Sequence, residues 1–155
     1  MDERFMDMAL KEAKKAYLNG DIPVGAVIVK DGKVISKAYN KKHKTKDCTN
    51  HAEILAIKKA SKVLNDFRLE GCEMYITLEP CVMCYGAILS ARIGKVYFGA
   101  YDKKFSIIDI SKTIKFNHSV QLVGGVKEKE CSNLLSNFFE QLRRKNADSP
   151  TKSGD

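Results

Sequence analysis

Residues 74–98 read MYITLEPCVMCYGAILSARIGKVYF, and this stretch decides the fold class. Met74-Tyr75-Ile76-Thr77-Leu78 is a short apolar run that reads as a strand. Glu79-Pro80 ends it, because proline offers no amide donor to a continuing ladder. From about 82 to 91, Ala87, Ile88 and Leu89 mark a helix. Lys95-Val96-Tyr97-Phe98 is the next strand, stopped at Gly99. Strand, helix and strand in close succession call for a sheet with helices laid against it.

The flanking sequence extends the pattern. Residues 2–18 place Phe5, Met8, Ala9, Ala13, Ala16 and Tyr17 at helical spacing, and Asn19-Gly20 stops that helix. Val24–Val29 reads as a buried strand, Lys30-Asp31-Gly32-Lys33 as a hairpin turn and Val34–Tyr39 as the returning strand. A basic loop follows. Thr49 or Asn50 is then placed to cap a helix carrying Ile54, Leu55, Ile57, Ala60 and Leu64. Beyond residue 100, Ile107, Ile108 and Ile110 indicate a packed segment of no clear type. Val120–Val123 is a last short strand, and Leu134, Leu135, Phe138, Phe139 and Leu142 line a final helix over about 127–145. The order α-β-β-α-β-α-β-β-α predicts a layered α/β domain over residues 1–145. The polar stretch 146–155, with Pro150 and Gly154, reads as a disordered tail.

At 155 residues and 44% hydrophobic, the chain suits one core and has no room for two. No apolar run approaches the roughly 18 residues of a membrane span. The N-terminus lacks a signal peptide's apolar block. These features predict a soluble, cytoplasmic protein with no membrane partner. Its 27 Lys and Arg against 19 Asp and Glu give a net charge of +8, which favours phosphate-rich partners. The charge is concentrated in Lys41-Lys42-His43-Lys44-Thr45-Lys46 and Arg143-Arg144-Lys145. Five cysteines, at 48, 72, 81, 84 and 131, are an odd number and argue against a disulfide framework. Only Cys81 and Cys84 form a tight pair.

That pair, with His51-Ala52-Glu53, carries the chemistry. Each group opens a predicted helix, whose positive N-terminal end favours the thiolate form. Two thiolates and the His51 imidazole suit Zn²⁺, one per subunit, and leave the fourth position open. Glu53 is then the candidate acid–base group of a hydrolytic centre. Three other readings stand beside this one. Cys81-x-x-Cys84 could be a redox pair, Cys48-x-x-His51 could join it in a closed Cys₃His structural zinc, and His51 could be an ordinary surface histidine. Against all three stands the coincidence of His-x-Glu and Pro-Cys-x-x-Cys, each at a helix start after an extended segment.

The combination is the known signature of zinc nucleobase deaminases. Ile22-Pro23-Val24-Gly25-Ala26-Val27, Thr49-Asn50-His51-Ala52-Glu53-Ile54 and Thr77-Leu78-Glu79-Pro80-Cys81-Val82-Met83-Cys84 resemble the bacterial tRNA-specific adenosine deaminase family. So do Arg92-Ile93-Gly94-Lys95-Val96-Tyr97-Phe98-Gly99-Ala100 and Phe138-Phe139, and the likeness covers nearly the whole chain. It implies a three-layer α/β/α cytidine-deaminase-like fold, with a mixed five-stranded sheet and helices on both faces. It also implies a homodimer acting on a tRNA anticodon stem-loop, converting wobble adenosine to inosine. By this resemblance Asn40 contacts the flipped nucleotide and Ala52 belongs to the substrate-binding set. Asp102 and Asn117 belong to the anticodon-loop pocket, and Phe138, Phe139 and Arg143 to an RNA-contacting helix. From spacing alone the two phenylalanines read equally as core.

One departure falls at 103–116. The family's glycine- and serine-rich loop is replaced by Lys103-Lys104-Phe105-Ser106-Ile107-Ile108-Asp109-Ile110, with no glycine between Gly99 and Gly124. Branched side chains there would pack where glycines would let a ligand approach. Two alternatives to a tRNA substrate therefore remain at this level. One is a deaminase of free guanine, cytosine or adenosine. The other, of a different class, is a non-catalytic RNA-binding protein with a structural zinc.

Overall fold

The computed structural model describes residues 1–148. In chain order its elements are α1 (Glu3–Leu18), β1 (Gly25–Lys30), β2 (Lys33–Tyr39), α2 (Lys42–Thr45), α3 (Ala52–Leu64) and β3 (Cys72–Leu78). They continue with α4 (Val82–Ser90), β4 (Lys95–Ala100), α5 (Ile107–Ser111), β5 (Gln121–Val123) and α6 (Glu128–Asp148). The five strands form one mixed sheet in the order β2-β1-β3-β4-β5. β1 runs antiparallel to both β2 and β3, whereas β3, β4 and β5 are parallel. The β1–β2 hairpin turns on Asp31 and Gly32, both at positive φ, as a two-residue turn matched to strand twist requires. The central strands β1 and β3 are buried along almost their whole length, while the edge strand β2 alternates.

Helices cover both faces. α1 and α6 lie on one and α3 and α4 on the other, which is the expected three-layer arrangement. On the α1 face Tyr75 stacks on Tyr97 with ring centroids 4.8 Å apart, and Phe5 packs against Tyr75 at 5.4 Å. Two glycines permit close approach there. A Cβ on Gly25 would overlap the Ala9 carbonyl of α1, and one on Gly99 would overlap the Cys131 sulfur of α6. On the opposite face Ser36 of β2 donates to the Ala56 carbonyl of α3 at 2.8 Å, and Ile28, Met74, Ile76, Val96 and Phe98 are fully buried.

Several local expectations shift. α3 begins with His51 as its N-cap, not Thr49 or Asn50. Thr49 instead donates its backbone amide and hydroxyl back to Asp47, and Asn50 donates its side-chain amide to Thr45 Oγ1. The basic loop contains the short helix α2, and the isoleucine segment is α5. Ile107 of α5 is fully buried beside Tyr85 and Leu89 of α4, so the branched residues do pack. α6 runs three residues past the expected boundary at 145. The rest of the expected tail, 149–155, lies outside the described residues. Among the described residues no helix is long and apolar enough to cross a membrane.

Candidate metal centre and substrate cavity

α3 and α4 bring their N-termini together beyond the carboxyl ends of the parallel strands, where open α/β sheets place their ligands. His51 caps α3 and Cys81 caps α4. Cys84 lies one helical turn further along α4, so both sulfurs face the same side. His51 Nδ1 is 3.8 Å from Cys81 Sγ and 3.5 Å from Cys84 Sγ, and all three donor atoms lie within 4.8 Å of one another. Tetrahedral zinc, with bonds of about 2.3 Å to sulfur and 2.0–2.1 Å to nitrogen, sets ligand atoms roughly 3.6 Å apart. The donor set therefore fits the ion in both type and spacing. Cys48 is exposed and outside this cluster, which removes the closed Cys₃His reading.

Charge within the cluster is shared through protons. The Cys81 thiol is pulled down to about 4, first by the hydrogen bond from Cys84 and then by the one with His51, against the opposing effect of burial. Cys84 is pushed up because it supplies that proton and is deeply buried. The bond to Cys81 also raises His51. A divalent cation held by these residues would take the place of the shared proton, since the thiolate is the form that binds metal.

Glu53, the second residue of α3, is 3% exposed, and burial raises its pKa above the ordinary carboxylate value. Its Oε1 is buried and has no hydrogen-bond partner among the described residues. Leaving a carboxylate oxygen in this state is costly, and a satisfied structural glutamate would not show it. Glu53 lines a cavity of about 100 Å³ together with Ile22, Val24, Asn40, Lys42, His51, Leu78, Glu79, Cys81 and Asp102.

The other expected site residues fall into two groups. Asn40 and Asp102 reach the cavity. The buried Asn40 accepts the Ala52 amide at 2.8 Å, so it caps α3 from the end of β2. Ala52 is itself fully buried and does not line the cavity. Outside the cavity, Asn117 is exposed in the connection to β5. Phe138 is buried edge-on against Tyr17 and Phe139, each with centroids at 5.6 Å, while Phe139 and Arg143 are exposed on α6. In the sequence Glu79 marks only the end of a strand, yet in the structure it lines the cavity and holds the loop beyond β4. Nothing in its local sequence signals that role, because its partners lie more than 20 positions away.

Residues 1–100 match the family model of the cytidine and deoxycytidylate deaminase zinc-binding region. Fold, donor set and buried glutamate thus belong to a zinc-dependent hydrolytic deaminase, which excludes the non-catalytic reading. The chain is 50% identical over 145 residues to a tRNA-specific adenosine deaminase of Aquifex aeolicus, covering 91% of this chain and 95% of that one. A Bacillus subtilis tRNA-specific adenosine deaminase is 45% identical over 148 residues, covering 93% and 92% respectively. A solved tRNA:A34 deaminase, studied for A-to-I editing at the wobble position of transfer RNA, superposes with a TM-score of 0.83 at 38% identity, over 86% of this chain and all of that one. The chain belongs to the tRNA-specific adenosine deaminase family.

Proposed function

We propose that this chain hydrolyses the wobble adenosine of a tRNA anticodon to inosine and ammonia, acting in the cytoplasm as a homodimer with one zinc per subunit. The observation that carries the hydrolytic reading is the buried, unpartnered Glu53 Oε1 beside the three-donor cluster. The tRNA substrate is supported by the family and by the chain's basic stretches.

His51, Cys81 and Cys84 would hold the zinc ion, which when bound would supply Lewis-acid activation of the attacking water. Glu53 then moves the protons. Its Oε1 takes one from the water and delivers it to N1 of the purine ring. The carboxylate then takes the second proton, from the hydroxyl now bonded to C6, and gives it to the amino group, so that the C6–N bond breaks, ammonia leaves and the C6 carbonyl forms. Burial raises the Glu53 pKa and so favours holding a proton between these transfers. Asn40 Oδ1 is engaged by Ala52, which leaves the Asn40 amide nitrogen to donate to the nucleotide. Asp102 belongs to the cavity wall, while Phe139, Arg143 and Asn117 offer exposed groups to the RNA outside it. Phe138 and Ala52 support these contacts from the core.

Incubating purified protein with total tRNA and, separately, with free nucleosides and bases tests the proposal. Mass spectrometry should detect inosine in tRNA. Product from free guanine, cytosine or adenosine alone would replace the tRNA reading with a small-molecule one.

A further inference from the structure

Glu79 is 3% exposed, and both its carboxylate oxygens are fully engaged on one loop. Oε2 accepts the Asp102 amide at 2.8 Å. Oε1 accepts the Ser106 hydroxyl at 3.0 Å and the amides of Ile107 at 3.0 Å and Ile108 at 3.4 Å. Ile107 and Ile108 open α5, whose N-cap Ser106 turns its own hydroxyl toward Glu79 rather than capping the helix. Glu79 therefore caps α5 from another element, satisfying amides that would otherwise be orphaned. Its backbone amide donates to the Ala100 carbonyl at 2.8 Å, fixing the end of β3 to the end of β4. Two residues later the same chain supplies Cys81.

One carboxylate thus joins the turn that carries two metal ligands to the segment that carries Asp102. Asp102 in turn accepts the amides of Lys104 and Phe105, so the loop is built outward from Glu79 through Asp102. This segment is rich in isoleucine, and Ile107 anchors it from below against Tyr85 and Leu89. With no glycine available for alternative backbone paths, its position depends on these two anchors.

We propose that Glu79 is a positioning residue for substrate. It sets the place of Asp102 and of the 102–108 wall relative to the metal centre, and so governs which nucleotide enters and how tightly. The inference rests on the deaminase reading above and deepens it. The chemical step belongs to Glu53 and the metal ligands, so loss of Glu79 acts on KM more than on kcat. An amide in place of the carboxylate offers one oxygen for two sets of donors, and its NH₂ must face either the Asp102 amide or the α5 amides.

The test is a kinetic cycle on the zinc-loaded enzyme with E79Q, Glu79→Asp, Asp102→Ala and the E79Q/Asp102→Ala pair. E79Q should raise KM about tenfold, the scale of one lost charge-assisted hydrogen bond, with kcat changed less than about threefold and zinc content unchanged. Glu79→Asp, which keeps the charge, should recover part of the loss. In the pair, E79Q should add less to Asp102→Ala than it costs alone, because part of its effect is to place the Asp102 side chain by holding its backbone amide, which Asp102→Ala retains. Fully additive effects, or a fall in kcat and zinc content at constant KM, would overturn the inference. If E79Q does not fold, Ser106→Ala removes a single donor and should raise KM about twofold; an unchanged KM would equally overturn it. The parent's turnover of tRNA is the separate control for substrate. A parent active only on a free base defeats the tRNA proposal, and the same cycle is then read on that base.

Discussion

At the scale of single residues, the centre turns on one carboxylate held out of water. Burial lifts Glu53 above its ordinary value of 4.5, so the zinc-free fold binds this proton more tightly than the unfolded chain does. The sign follows from linkage. Its contribution to stability is complete below the unfolded pKa and is lost as pH rises through the folded one. Glu53→Gln cannot ionise and should escape that loss. In zinc-free protein its Tm relative to the parent should rise as pH increases above the ordinary carboxylate value and through the raised folded one. The same variant with zinc bound should keep its metal while turnover falls by at least ~10², measured by inosine release. Parent-like turnover would remove Glu53 from the mechanism.

Among the elements, the helix starts position the chemistry and the α5 segment shapes its surroundings. α3 relies on Asn40, twelve positions upstream, for the bond to its first amide, and this is why local cap residues misplace its start. α5 is only five residues long, too short to hold its shape alone. It persists because Ile107 is buried and Glu79 meets its amides. Ile107→Ala should weaken the packing that holds α5 by about 2–5 kcal/mol. Hydrogen exchange should then quicken at 107–111 while β3 stays protected. Unchanged exchange there would mean the isoleucines do not anchor the loop.

Over the whole molecule, charge decides what approaches the cavity. α2 presents Lys44 and Lys46 at its exposed end and is tied to the α1–β1 turn, because Asp21 accepts the His43 amide at 2.9 Å. Lys42 lines the cavity itself. A partner held by its phosphates here should bind with steep salt dependence. Combining Lys41→Gln, Lys44→Gln and Lys46→Gln should weaken tRNA affinity and flatten the log–log salt slope by about one unit per lost phosphate contact. Turnover at saturating tRNA should change much less. Overlaying salt series for parent and variant would argue that these lysines do not grip the substrate.

What the amino-acid sequence determines by itself is what the chain encodes locally. The i, i+3 cysteines, the His-x-Glu pair and the strand, helix and hairpin patterns all lie within a few residues, and periodicity reports which face of an element is apolar. From these came the α/β class, the zinc ligands and Glu53, while the resemblance supplied the sheet's makeup and the further substrate residues. Tertiary structure alone decided that Cys48 stands apart from the metal ligands, that Glu53 Oε1 has no partner, and that Asn40 caps α3. It also decided that Asn117 and Ala52 lie off the cavity and that Glu79 organises the loop. The polar pairings among these join atoms 12 to 29 positions apart. Hydrophobic periodicity carries no record of such pairings, because they are set by how the sheet brings distant strand ends together.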